Sequence, residues 1–317
     1  LRPIARHEHF KWRAILPARR MGLAASSRKA EASIMTALEP EIDIAHLRQW
    51  IGREERSLHH ISEDLVRKFN ATLNVDAPEP KAGMEAPGLF HYCMASPIVA
   101  TAELAADGHP HKGGLLPPVS LPRRMWAGSD VTFHGQLKVG DVVHRVTRIA
   151  DVAAKQGKTG ALVFVTVEHV LDVRGVMAIV EKQDIVYRGA DTGQAGQQAA
   201  AMASAHRQAV APDPALLFRY SALTFNAHRI HYDRSYATDV EGYPALVVHG
   251  PLQATLLFNH AVALWGSRPT RFAFRSRAPL FDSEPFFLDA ERTGSHMKLW
   301  TSRAGGPIAM FAEAEWP

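Results

Sequence analysis

Residues 248–266 read VHGPLQATLLFNHAVALWG. From Leu252 to Trp265 apolar side chains fall on nearly every face of a 3.6-residue turn, so the stretch predicts a helix buried on all sides. Gly250 reads as its N-cap, Pro251 as its first turn and Gly266 as its stop. Four β-rich runs follow, at 271–280, 286–291, 297–301 and 308–314. In the first, Phe272 and Phe274 alternate with Arg271, Ala273 and Arg275, which gives one buried and one basic face. One helix wrapped by an antiparallel sheet accounts for the whole pattern.

Upstream the same logic recurs. Runs at 131–133, 142–149, 162–171 and 179–187 are rich in β-branched and aromatic residues. Gly140-Asp141 reads as a hairpin turn between the first two, and Gly157-Lys158-Thr159-Gly160 breaks the second from the third. Before them, Asp43 caps a helix carrying Ile44, Leu47 and Ile51 up to Gly52, and Ser62 caps another carrying Leu65, Phe69 and Leu73. Residues 189–211 hold Gly, Ala and Gln and few large apolar side chains, which predicts a linker. A further strand is expected at 216–220. The organisation expected is a leader over 1–34, one domain over 35–188, the linker, and a second domain over 212–317.

The leader carries eight Lys/Arg against Glu8 and Glu31. Its composition resembles a transit peptide but shows no amphipathic face; the preferred reading is an over-long leader, with Met35 as the natural start. Overall the 317 residues are 46% hydrophobic and 21% charged, an ordinary globular balance. The formal charge of +4 and pI near 9.2 suit an anionic ligand without requiring nucleic acid. No apolar run approaches the ~18 residues that span a bilayer. A single cysteine, Cys93, excludes an internal disulfide and CxxC chemistry, and fits a small buried hydrophobe in a cytoplasmic protein.

GxSxG, P-loop, GxGxxG and HExxH motifs are absent. What remains is a polar run, Phe225-Asn226-Ala227-His228-Arg229-Ile230-His231-Tyr232-Asp233, followed by His249-Gly250-Pro251 at the start of the buried helix. Histidine suits proton transfer near neutral pH. A helix N-terminus offers free N–H groups to a developing oxyanion. A base and an oxyanion donor are the two parts that enoyl hydration needs. The same run also permits a two-His-one-carboxylate metal set, His228, His231 and Asp233.

Residues 223–237, LTFNAHRIHYDRSYA, resemble the motif of MaoC-like R-specific enoyl-CoA hydratases. Aligned on it, Asn226 falls on the family's catalytic Asp, His228 on its Asn, Arg229 on its Pro and His231 on its catalytic His. His249-Gly250 matches the His-Gly whose glycine N–H binds the thioester oxygen. The Asn is a departure, since an amide cannot exchange a proton. With Asn, the phrase is similar to the double hot-dog branch of mitochondrial type-2 hydroxyacyl-thioester dehydratases and mesaconyl-C4-CoA and itaconyl-CoA hydratases. Asp107-Gly108-His109-Pro110, the Gly113 to Pro118 stretch and the Leu121 to Gly128 stretch resemble that branch's N-terminal half.

The resemblance implies an α+β fold of two tandem hot-dog domains, each an antiparallel sheet around a central helix. It implies a hydro-lyase acting on acyl-CoA, without metal or cofactor and without nucleic-acid or membrane partners; a homodimer fits. His231, Asn226 and Gly250 are the expected catalytic residues. His228, Arg229, His249, Asp107, His109 and Arg124 are expected to bind substrate. A short branched dicarboxylic enoyl-CoA is the preferred substrate, and its free carboxylate needs an arginine: Arg124, Arg229 or Arg234. Arg275 and Arg277 either hold CoA phosphates or solvate the sheet. The alternatives are a 3-hydroxyacyl-thioester dehydratase on acyl carrier protein or CoA, and, from another class, a hot-dog thioesterase or acyl-CoA-binding protein.

Overall fold

The computed structural model describes residues 42–157, 160–189 and 199–317. The leader expected over 1–34 therefore lies outside the described residues, as do residues 190–198 of the linker. Asp43 caps α1 (Ile44–Leu47), its side chain accepting from the His46 N–H at 2.9 Å, and a 3-10 turn (Arg48–Trp50) continues it. Leu47 and Trp50 are its buried residues, while Ile51 turns outward. Next come β1 (Glu54–His60) and α2 (Glu63–Thr72), which is capped by Ser62 as the sequence predicts. A 3-10 turn (Phe90–Met94) precedes β2 (Arg123–Phe133), β3 (Val142–Gly157), β4 (Gly160–Val173) and β5 (Val176–Arg188). The second half contains β6 (Gln208–Val210), α3 (Pro214–Leu223), α4 (Gly250–Trp265), β7 (Arg271–Ser276), β8 (Phe286–Thr293), β9 (His296–Arg303) and β10 (Ile308–Glu315).

All the strands join one ten-stranded sheet in the order β1-β3-β4-β5-β2-β7-β10-β9-β8-β6. Read outward from the β2–β7 seam, the two halves repeat one another. The seam strand is second in sequence, the outermost strand is first, and the other three follow in turn. This internal repeat of topology is the tandem hot-dog arrangement that the sequence led us to expect. The seam itself is antiparallel, with Ser129 opposite Phe274 and Val131 opposite Phe272.

In the second half the sheet curves around α4, whose Leu252, Ala254, Leu257, Phe258 and Ala261 are buried against it. Its polar residues are satisfied: Thr301 donates to Gln253 Oε1 at 2.8 Å. Burial is incomplete at its far end, where Leu256, Asn259, Val262 and Ala263 border a cleft of about 540 Å³ shared with α2. In the first half the corresponding place before the seam strand is held by the short Phe90–Met94 turn, whose Phe90, His91, Tyr92 and Met94 are buried. A second apolar cluster, with Ile149, Val152, Val163, Val165 and Tyr187, fills the far end of β3–β5 beneath α1.

Three local expectations change, and one strand was not foreseen. Gly140-Asp141 does form a tight turn, with the Lys138 N–H donating to Asp141 Oδ2 at 2.7 Å, but no hairpin joins β2 to β3. β3 pairs with β1 and β4, and β2 with β5 and β7. Turn chemistry is local and does not name a strand's partner. The strand expected at 216–220 is α3: Asp213 caps it by accepting from the Leu216 N–H at 2.8 Å, and Pro214 occupies its first turn. Residues 208–210 of the expected linker form β6 against β8. β1 shows no apolar alternation because it is an edge strand, mostly exposed.

Candidate active site

Three segments meet at the junction of the two halves: a loop of the first half around 105–111, the stretch 225–233 after α3, and the extended residues 245–249 entering α4. Thr224 caps the end of α3, Phe225 takes a left-handed backbone (φ 51°), and the Asn226 N–H donates to Ser221 O at 2.9 Å. Asn226 Oδ1 then accepts the His228 N–H at 3.0 Å. The amide thus shapes the turn that launches the 3-10 segment Arg229–His231. The Val247 N–H donates to Ile230 O at 3.0 Å and locks that segment to the strand-like run before α4.

The first-half loop is held against this segment by its backbone. The Arg229 N–H donates to Asp107 O at 2.9 Å. Gly108 makes the approach possible: its φ is +87°, and a Cβ there would stand 1.8 Å from Ala227 O. Asp107 receives the His109 N–H on one oxygen and the His109 Nδ1–H on the other, both at 2.9 Å.

Five side chains form a continuous row. His109 lies over His228 (ring centroids 4.0 Å), His228 meets His231 edge-on (5.4 Å), His231 stacks on His249 (3.7 Å, 20° between planes), and His249 meets Tyr220 (5.1 Å). His231 is buried and its Nδ1 is 2.8 Å from Val247 O. A carbonyl only accepts, so Nδ1 carries the proton and Nε2 presents its lone pair. Nε2 has no partner among the described residues and is not sealed from solvent. His249 is fully buried; its Nε2 is 2.8 Å from Ser221 Oγ and its Nδ1 has no partner. Gly250 follows at the start of α4, where the helix itself provides no acceptor for its N–H.

Burial keeps the row neutral. It depresses His231 to about 4, against the opposing pull of the Val247 carbonyl. Burial, with neighbouring imidazoles, also holds His228 and His249 well below the ordinary histidine range. For Asp107, burial acts to raise the carboxyl, but the His109 bonds and the Arg124 charge outweigh it and hold it at about 2. The arrangement therefore offers a neutral imidazole with one fixed proton and one free lone pair, beside the positive end of a helix. This is the equipment for removing a proton from water next to a developing oxyanion.

The structure brings His231, His228, His249, Gly250, Asp107 and His109 together. Arg124, on β2, stands close enough to influence both His109 and His228. Arg229 is occupied: it bonds Asp233 at 2.8 Å and Ala106 O at 3.0 Å, and its guanidinium covers the Tyr236 ring. Asp233 is taken up by Arg229 on one oxygen and by the Tyr236 N–H on the other. The metal-capable set among the described residues is Asp107, His109 and His228, whose ligand atoms lie within 4.8 Å of one another. On the opposite face, Arg275 pairs with Asp184 at 3.2 Å and Arg277 covers Phe311. Sequence reasoning missed Ser221, Tyr220 and the Val247 carbonyl. A serine or tyrosine inside an apolar helix carries no signal, and a carbonyl's role is invisible until the chain folds.

The pattern of the family described as "Hydroxyacyl-thioester dehydratase type 2" matches residues 89–282. The chain is 42% identical over 270 residues to mesaconyl-C(4)-CoA hydratase of Chloroflexus aurantiacus, covering 84% of this chain and 96% of that protein. It is 27% identical over 276 residues to the mitochondrial hydroxyacyl-thioester dehydratase type 2 of Schizosaccharomyces pombe, covering 77% and 91%. Among solved structures, a MaoC-like dehydratase of Phytophthora capsici superposes with a TM-score of 0.67 at 11% identity, covering 87% of this chain and 98% of that one. With that fold and those relatives, the chain belongs to the type-2 hydroxyacyl-thioester dehydratase family and is a hydro-lyase on a tandem hot-dog scaffold.

Proposed function

We propose that this chain adds water to a short branched dicarboxylic enoyl-CoA of the mesaconyl-C4 type, and removes it in reverse. The observation that carries the chemistry is the His231 tautomer: Nδ1–H held by Val247 O, Nε2 free. The 42% identity to a mesaconyl-C(4)-CoA hydratase carries the substrate class. In hydration, His231 Nε2 takes a proton from water as the oxygen attacks the β-carbon. The Gly250 N–H and the α4 dipole stabilise the enolate-like thioester oxygen. The α-carbon then takes a proton, and the His231 imidazolium is its nearest source. Asn226 supports the site by fixing the His228 turn through Oδ1, which leaves its Nδ2 to orient the water. No step needs a metal or an organic cofactor.

The test is to incubate the purified chain with mesaconyl-C4-CoA. The expected result is a gain in mass of one water, loss of the enoyl-thioester absorbance, and no free thiol. Release of CoA without hydration would assign a thioesterase instead. Turnover of 3-hydroxyacyl thioesters with no action on the dicarboxylic substrate would favour the dehydratase reading.

A further inference from the structure

Mesaconyl-C4-CoA carries its free carboxylate on the β-carbon, the carbon that receives the hydroxyl. A partner for that carboxylate must stand close to the water-activating base. Three arginines compete for the role, and two are committed elsewhere. Arg229 is paired with Asp233 at 2.8 Å, and Arg234 with Asp282 at 2.5 Å. Among the described residues Arg124 forms no salt bridge, and the carboxylate its charge reaches, Asp107, is bonded to His109.

Arg124 sits directly opposite Tyr187 in the antiparallel β2–β5 pair, so the two side chains share one face of the sheet. Tyr187 is fully buried; its oxygen lies near enough to the Arg124 guanidinium to feel its N–H, and its O–H has no acceptor. Burial pushes that phenol up, and the Arg124 charge pulls against the rise. Lys112 adds a second positive charge: its ammonium lies 5.5 Å from the Tyr187 ring, anchored on Val119 O at 2.9 Å and Leu121 O at 2.7 Å. Arg124 stands close enough for its charge to act on His109 and His228, the imidazoles that continue the row from His231. The nearby carboxylate, Asp107, is taken up by His109, so a guanidinium outside any salt bridge, a buried hydroxyl with no acceptor and a nearby ammonium together suit an anion. A guanidinium binds a carboxylate through two parallel bonds, and an unpartnered hydroxyl beside it supplies a third. Leaving the hydroxyl unmade is costly, and a bound carboxylate relieves that cost.

We propose that Arg124 and Tyr187 form the subsite that receives the free carboxylate of the acyl group, and that this pair sets the preference for a dicarboxylic enoyl thioester over its neutral isostere. The proposal rests on the hydratase reading above. In 3-methylcrotonyl-CoA a methyl group replaces the carboxylate and the rest of the acyl skeleton is unchanged, so the ratio of kcat/KM for the two thioesters isolates the subsite.

The wild type should prefer mesaconyl-C4-CoA by about 10³-fold or more, because a site built to bond a polar group rejects the analogue that lacks it. Arg124→Gln should reduce that ratio to about 10 or below. Arg124→Lys should fall between, since it keeps the charge and loses the fork. Tyr187→Phe should lower the ratio about tenfold, chiefly through KM for the dicarboxylic thioester. Equal losses on both thioesters in every variant would make Arg124 a structural residue and overturn the proposal. If Arg124→Gln does not fold, the ratios of Arg124→Lys and Tyr187→Phe decide. A wild type that hydrates both thioesters with equal efficiency overturns the subsite and leaves the hydratase reading intact. A wild type that hydrates neither defeats both.

Discussion

Lowering the pH from 7 to 5 should destabilise this protein through its buried neutral histidines. His231 and His169 are each held at about 4 by burial, against an ordinary value of 6.5. Between those values the unfolded chain binds more protons than the folded one, so stability falls as pH falls. At pH 5 an unfolded histidine is almost wholly protonated and these two are not. The difference is about 2 kcal/mol for each, or about 4 kcal/mol together, relative to neutral pH. His228 and His249 are shifted in the same direction and add to the loss. The depressed carboxyls of Asp107 and Glu181, each at about 2, change the loss in the same direction but add little above pH 5, because their unfolded forms are still mostly ionised there. A loss of that size is a large share of the 5–15 kcal/mol typical of a folded domain. Urea unfolding followed by tryptophan fluorescence at pH 7 and pH 5 measures it directly. His231→Gln removes one titrating group, so its loss over the same interval should be smaller by about 2 kcal/mol. A wild type equally stable at both pH values, or a variant that loses as much as wild type, would refute the assignment of a buried neutral His231.

Other outcomes follow from the same geometry. Since His231 must be neutral to act as base and is held at about 4, kcat/KM for hydration should be flat from pH 6 to 9 and fall only toward pH 4; a rising limb centred at 6.5 or above would contradict this. His231→Ala should lower kcat by ~10²–10⁴-fold while circular dichroism stays unchanged, and near-normal turnover would remove it from the mechanism. Gly108→Ala forces a Cβ onto Ala227 O at a left-handed backbone position, and should cost about 1–3 kcal/mol in urea unfolding; a neutral result would mean that the two halves do not close there. Asn226→Ala should cost about 1 kcal/mol by freeing the His228 N–H, whereas Asn226→Asp keeps an acceptor and should hold stability.

Much was legible before folding because it is written locally. The apolar run of α4, the Asp43 and Ser62 caps and the alternation in β7 are properties of neighbouring residues, and periodicity and capping report them. The polar run ending at His231 was legible as a candidate site through its spacing and its likeness to a family motif. The α3 segment was misread because Leu216, Leu217, Phe218 and Tyr220 in a short run suit either a strand or a helix. Its identity turned on the Asp213 cap and Pro214. β1 was missed because an edge strand need not be apolar.

The sequence alone determined the class of fold, the family and the residues able to move a proton. Only the tertiary structure decided which of them meet. Asp107 and His109 come from over a hundred residues before His228, and a single glycine lets the two backbones touch. Strand partnership is equally long-range: the β2–β7 seam that joins the halves, and the β2–β5 register that sets Arg124 opposite Tyr187, follow from how the sheet closes. Protonation also belongs to the folded state. An imidazole has the same intrinsic affinity wherever it lies in the chain, and burial is what keeps His231 neutral.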